Sequence, residues 1–170
     1  MDTLVPIVVK VVTALLALAA ILGLVYELFH KSSAETAAGY QSSLFTNIEG
    51  LYHGGLSAAN YADLTNSVAI RAAAVPHGMT NGDGSTIVGP WPNSIVTLSS
   101  ANGGAGWQAS WTNVQSDGCA SFVRSQAAST ITIGGTTVTP TDTSATSEIA
   151  NACNAVQSGA TTTIVFEYNG

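Results

Sequence analysis

Three histidines, His30, His53 and His77, and many serines are the side chains here from which a nucleophilic centre would be built. Such a centre needs a serine on a sharp turn, Gly-x-Ser-x-Gly, with a histidine base and an acid behind it. No serine sits in that pattern and no histidine has an evident acid-and-nucleophile context, so His30 and His53 read as surface residues. Asn81-Gly82-Asp83-Gly84-Ser85 has the flavour of a calcium loop but lacks the further ligands and the closing glutamate, and reads as a turn. Gly103-Gly104-Ala105-Gly106 has no following Lys-Ser/Thr and is no phosphate loop. Trp91, Trp107 and Trp111 are of the type that lines a ligand groove, yet in a small sheet domain they read as core. Cys119 and Cys153 lack C-x-x-C spacing and a cluster of metal partners; with an apolar segment and an uncharged surface they read as a disulfide, two buried thiols being the alternative. No catalytic residue, metal ligand or cofactor is expected.

Composition narrows the field further. The chain has 170 residues, only 8% of them charged against the usual quarter, so its surface is made of Ser, Thr, Asn, Gly and Ala. The net charge is −6 with four cations, Lys10, Lys31, Arg71 and Arg124. No basic stripe exists to displace counterions from phosphates, which argues against direct nucleic-acid binding.

The elements that position these residues begin with Leu4 to Tyr26, an apolar run broken by one charge, Lys10, and by Thr13. As a helix it rises roughly 34 Å, enough for a hydrocarbon core of ~30 Å. It is too long for a signal-peptide core and has no basic residue ahead of it, so it is expected to be retained. Asp2 and Thr3 cap it, Pro6 falls in its first turn, and Gly23 is a soft spot. Ala37, Tyr40, Leu44, Ile48 and Leu51 then recur at helical steps, with Phe45 and Tyr52 beside them, up to His53-Gly54-Gly55. Residues 3–52 are therefore expected to form one helix, roughly 75 Å long.

Asn60 is placed to cap a second helix from Tyr61 to about Ala74, closed by Pro76. Thr86–Val88 and Ser94–Ser99 read as short strands, Trp107–Trp111 alternates as a strand does, and Asp117 to Gln126 reads as a helix. Ile131–Ile133 and Thr136–Val138 flank Gly134-Gly135, a two-residue hairpin turn. Thr143 to Ala155 is helical in spacing and Thr161–Tyr168 is a last strand. The class is α+β: an antiparallel sheet with small helices, covered on one face by the amphipathic half of the first helix. The expected division is 1–30 apolar helix, 31–55 amphipathic continuation, and 56–170 α+β head domain.

This order of elements resembles the type IV pilin fold. Within it, Tyr61-Ala-Asp-Leu-Thr-Asn-Ser-Val-Ala-Ile70 leading to Val75-Pro76, the strand entry Trp91 to Thr97, Cys119-Ala-Ser-Phe122 and Ala150-Asn-Ala-Cys153 are similar to type IVb pilins of the PilS kind. The resemblance covers nearly the whole chain, and its specificity lies in order and spacing. It implies a non-enzymatic structural subunit, a major pilin, with a minor pilin or pseudopilin as the alternative; a membrane-anchored monomeric ligand-binding domain is the rival from another class. The implied course is a single pass in a bacterial inner membrane, processing by a prepilin peptidase that leaves residue 1, and polymerisation by the pilus assembly machinery into an extracellular filament. Its implied settings are adhesion, cell-cell contact or conjugative mating. Leu4, Ile7, Val8, Val11, Val12, Leu15, Leu16, Leu18, Ile21, Leu22, Leu24 and Val25 would meet lipid first and other copies afterwards. Pilins carry an early glutamate that pairs with a neighbour's N-terminal amine; here Val5 stands in that place. Asp2 is the nearest acid, and Lys10 either snorkels or meets Asp2 or Glu27 of another copy.

Overall fold

The computed structural model describes the backbone of residues 4–53 and 59–169, and side chains at 10–22, 25, 33–53 and 59–169. Asp2, Gly54 and Gly55, the surroundings of Gly23, and the side chains of Leu4, Val5, Ile7, Val8, Leu24, Glu27 and His30 lie outside the described residues. The chain divides into two compact units, Met1–Ser32 and Ser33–Gly170.

Helix α1 spans Leu4–Tyr52. No proline falls beyond its first turn, and its residues are mostly good helix formers. Within the second unit its buried face is Ala34, Ala37, Gln41, Leu44 and Ile48, spaced 3, 4, 3 and 4 as one side of a helix requires. This face differs from the expected one. Tyr40 is half-buried, Leu51 is 44% exposed, and a polar residue, Gln41, holds the centre.

The sheet has six strands: β1 (Ile87–Val88), β2 (Ile95–Ala101), β3 (Gly106–Gln115), β4 (Thr130–Ile133), β5 (Thr136–Val138) and β6 (Thr161–Asn169). They lie in the order β1-β2-β3-β6-β4-β5, every neighbouring pair antiparallel. The C-terminal strand is thus inserted at the centre, between β3 and β4. Alternation puts Trp107, Ala109 and Trp111 of β3 and Ile164, Phe166 and Tyr168 of β6 into the core, while Ser, Thr and Gln face outward. All three tryptophans are core residues, at most 3% exposed. β3 runs on past Trp111 through a bulge: Trp111 pairs with Ile164 but Val114 with Thr162, and Asn113 takes the left-handed φ of 54° that the extra residue needs.

Three small helices complete the head: α2 (Asn66–Arg71), α3 (Ser116–Arg124) and α4 (Ala145–Asn154). α2 is much shorter than the expected 61–74. Asn60 caps no helix; its side chain accepts from the Ala62 N–H in a local turn, and the Tyr61 N–H is taken by the Gly104 carbonyl. Thr65 is the cap, accepting from the Val68 N–H at 3.3 Å. Ala73, at φ 56°, ends α2 as its N–H reaches the Ile70 carbonyl and that of Ala74 reaches Ala69. α3 comes close to α1 at Gly118, where a β-carbon would sit 3.2 Å from the Ala34 methyl.

Candidate assembly surface

In the first unit the described apolar side chains are outward on every side of α1. Val11, Val12, Leu15, Leu16, Leu18, Ile21, Leu22 and Val25 are 40% to 66% exposed. Runs of this kind have no polar face to give to water, so they need a cover. Lys10 is exposed at one end of this set, and the Thr13 hydroxyl folds back onto the Lys10 carbonyl at 3.0 Å, which hides its polarity against the backbone. Among the described residues no helix is long and apolar enough to cross a membrane.

The second unit carries the geometry that holds the amphipathic part of α1 to the sheet. Gln41, fully buried, donates to the Tyr168 hydroxyl at 2.9 Å and accepts from the Trp111 indole N–H at 2.6 Å. Two turns on, one oxygen of Glu49 accepts from the Trp107 indole at 2.7 Å and from the Tyr61 hydroxyl at 3.0 Å. Its other oxygen pairs with His53 Nε2 at 2.8 Å. His53 is exposed as expected, yet it serves as the last member of this cluster. Burial pushes the Tyr168 phenol up to about 12, with the Glu49 charge adding and the Gln41 bond opposing. Burial and the bond to Asp63 push Tyr52 up to about 12, and Tyr61 is raised by burial and by Glu49. Neither Gln41 nor Glu49 stood out in sequence. The one available signal was their spacing in register with Ala37, Leu44 and Ile48.

Cys119 on α3 and Cys153 on α4 form a disulfide, with Cα atoms 5.8 Å apart and both residues buried. It ties together two helices that otherwise contribute only Phe122, Val123, Ile149 and small residues to the core. Asp83 occupies a turn: its carboxylate accepts from the Ser85 and Thr86 N–H groups, both at 2.7 Å, and from the Asn81 amide. These bonds, the Thr86 hydroxyl foremost, hold it well below the usual carboxylate range. Among the described residues no cluster of His, Cys, Asp or Glu could hold a metal ion.

Comparison with known proteins bears on most of this architecture. The family model described as PilS N terminal matches residues 32–169. The crystal structure of type IV b pilin from Salmonella typhi is similar at a TM-score of 0.56 and 24% identity, covering 82% of this chain and 99% of that one. The crystal structure of TcpA, a type IV pilin from Vibrio cholerae El Tor biotype, is similar at 0.53 and 12% identity, covering 81% and 99%. No curated protein matches the sequence.

Proposed function

The chain belongs to the PilS N-terminal family and has the type IV pilin fold, and from that premise we propose that it is the structural subunit, a major pilin, of an extracellular type IVb pilus. The observation that carries this is the outward apolar surface of α1 from Val11 to Val25. Fully covering one such side chain stabilises by about 1.5–3 kcal/mol. Half-exposed residues gain roughly half of that each, so covering the eight is worth on the order of 10 kcal/mol relative to water, whether lipid or other copies of the helix provide the cover. Lipid supplies the cover while the subunit waits as a single pass in the inner membrane, residues 1–30 acting as anchor. Copies of the same helix supply it in the filament, with 31–55 as the continuation and 56–170 as the head on the outside. The inner-membrane assembly machinery and a prepilin peptidase are the partners of that transfer. Adhesion, cell-cell contact and conjugative mating are the uses we assign to the filament.

Expression of the chain with a type IVb assembly system, followed by shearing, gives the test. Filaments in the sheared fraction, seen by electron microscopy and composed of this chain, are the expected result. A chain that stays wholly with membranes beside filaments that lack it would sink this reading in favour of an anchored monomer.

A further inference from the structure

The chain contains three Asn-Gly pairs, Asn81-Gly82, Asn102-Gly103 and Asn169-Gly170, the last ending outside the described residues. Where glycine follows asparagine, no side chain shields the next backbone nitrogen from the asparagine carboxamide. Asn81 and Asn102 are both exposed, as are the glycines after them, so access to water does not separate the two. Their hydrogen bonds do.

Asn81 lies in the turn that Asp83 organises. Its Oδ1 accepts from the Asp83 backbone N–H at 3.1 Å, and its Nδ2 donates to Asp83 Oδ2, also at 3.1 Å. These bonds keep the carboxamide beside Gly82, the residue between. The turn is pinned in its own right, because the Asp83 carboxylate accepts from the Ser85 and Thr86 N–H groups. The Gly82 N–H donates to no protein group among the described residues. A β-carbon at Gly82 would meet nothing within 4 Å, so water reaches this peptide freely. Asn102 is held differently. Its Nδ2 donates to Glu167 Oε1 at 2.8 Å and to Asn169 Oδ1 at 2.7 Å, both on β6. Swinging this carboxamide onto the Gly103 nitrogen breaks both bonds, one of them to a carboxylate.

We infer that Asn81 is a site of spontaneous modification, which the fold leaves free to become aspartate or isoaspartate while it restrains Asn102. The Gly82 nitrogen gives its proton to solvent and attacks Cγ of Asn81. As the N–Cγ bond forms, the carbonyl electron pair moves onto Oδ1, where the Asp83 N–H already points and stabilises the charge. On collapse the Cγ–Nδ2 bond breaks, and Nδ2 leaves as ammonia with a third proton taken from solvent. Water then opens the cyclic imide. Cleavage at Cγ gives aspartate, and cleavage at the backbone carbonyl gives isoaspartate. Each event adds one negative charge to a chain of net charge −6 and sets a carboxylate where an amide had donated to Asp83. None of this depends on filament formation.

The test incubates the full chain in detergent micelles at mildly alkaline pH, once native and once with the head unfolded in urea. Tryptophan fluorescence checks the unfolding, and tandem mass spectrometry places each converted residue. In the native chain Asn81 should convert at least about tenfold faster than Asn102, the factor that two broken bonds impose. In urea the two rates should converge, since only the shared Asn-Gly sequence then acts. Equal or inverted native rates would overturn the inference, as would a preference of the same size that persists in urea. Conversion of native Asn81 far slower than that of unfolded Asn81 would overturn it too, because the turn would then protect the amide. Glu167→Ala removes one acceptor of the Asn102 amide and should raise conversion there several-fold with Asn81 unchanged. No rise at Asn102 would count against the inference.

Discussion

Gln41→Leu removes one amide from the contact between α1 and the sheet while keeping helix propensity. Its partners are the Trp111 indole, fully buried, and the Tyr168 hydroxyl, on a residue 4% exposed. Each buried polar group left without a partner costs about 1–3 kcal/mol, and the apolar gain of leucine returns about 1 kcal/mol. The expected net loss is therefore roughly 1–5 kcal/mol, or on the order of 10 °C in Tm for a head of this size. Thermal unfolding followed by tryptophan fluorescence reads it directly, because Trp111 is one of the two partners. A double-mutant cycle with Tyr168→Phe isolates the bond: the cost of Gln41→Leu should shrink by about 1 kcal/mol in that background. A loss under about 0.5 kcal/mol, or a cost unchanged by Tyr168→Phe, would refute the idea that this amide pins the helix.

Replacing Cys119 and Cys153 together by serine should cost about 4 kcal/mol on the chain-entropy model for a loop closed over a separation of 34 residues, and should cut filament yield; a free-thiol assay finding two reactive cysteines in native protein would dispose of it. Stability should fall as pH rises from about 10 to about 12, because the unfolded state releases the Tyr168 proton near 10 while the folded state holds it until about 12. Below the unfolded value both states are protonated and nothing is lost, so Tyr168→Phe should show a shallower alkaline decline than wild type; equal slopes would contradict the burial argument. Asp2→Ala should lower the yield of sheared filaments while the membrane level of subunit and the folded head are kept, since Val5 leaves no other early acid to answer the N-terminal amine or Lys10. Normal yield would show that the amine is neutralised in another way.

What sequence made legible here was local. The Gly134-Gly135 turn fixed β4 and β5 because two glycines between β-branched runs admit few other structures. The helical step through Leu44 and Ile48 announced α1, and the tryptophans settled into the core as large rings in a small sheet must. Non-local pairing was not legible. Nothing in Thr161–Tyr168 says that it enters between β3 and β4, since any apolar alternating strand satisfies either edge. Asn60 misled because a side chain good at capping is equally good at closing a turn, and only the Gly104 carbonyl, far along the chain, decided between the two. Gln41 was hidden for a related reason. A polar residue on an apolar face looks like a break in the pattern until its two partners, one on β3 and one on β6, are seen beside it.

The polar pins and the apolar helix answer two different demands. In the proposed pilus, moving α1 from lipid into a bundle of copies would exchange one apolar surrounding for another, so the gross hydrophobic gain that covers Leu15 or Ile21 would already be present in the membrane. In that proposal a preference for the filament would have to come from close packing and from polar contacts, which are sensitive to position where area burial is not. A head that slid along its own helix would present its contacts out of register from one copy to the next. Gln41 and Glu49 oppose such sliding: one turn of displacement would leave Trp107, Trp111, Tyr61 and Tyr168 with buried polar atoms unpaired. Neutral hydrophobic packing of Ala37, Leu44 and Ile48 alone would tolerate that slip far better, because those side chains differ little in what they accept as a neighbour. The buried polar residues of α1 thus fix its second half to the sheet, and in the proposed pilus the exposed apolar ones would provide the surface by which subunits are gathered.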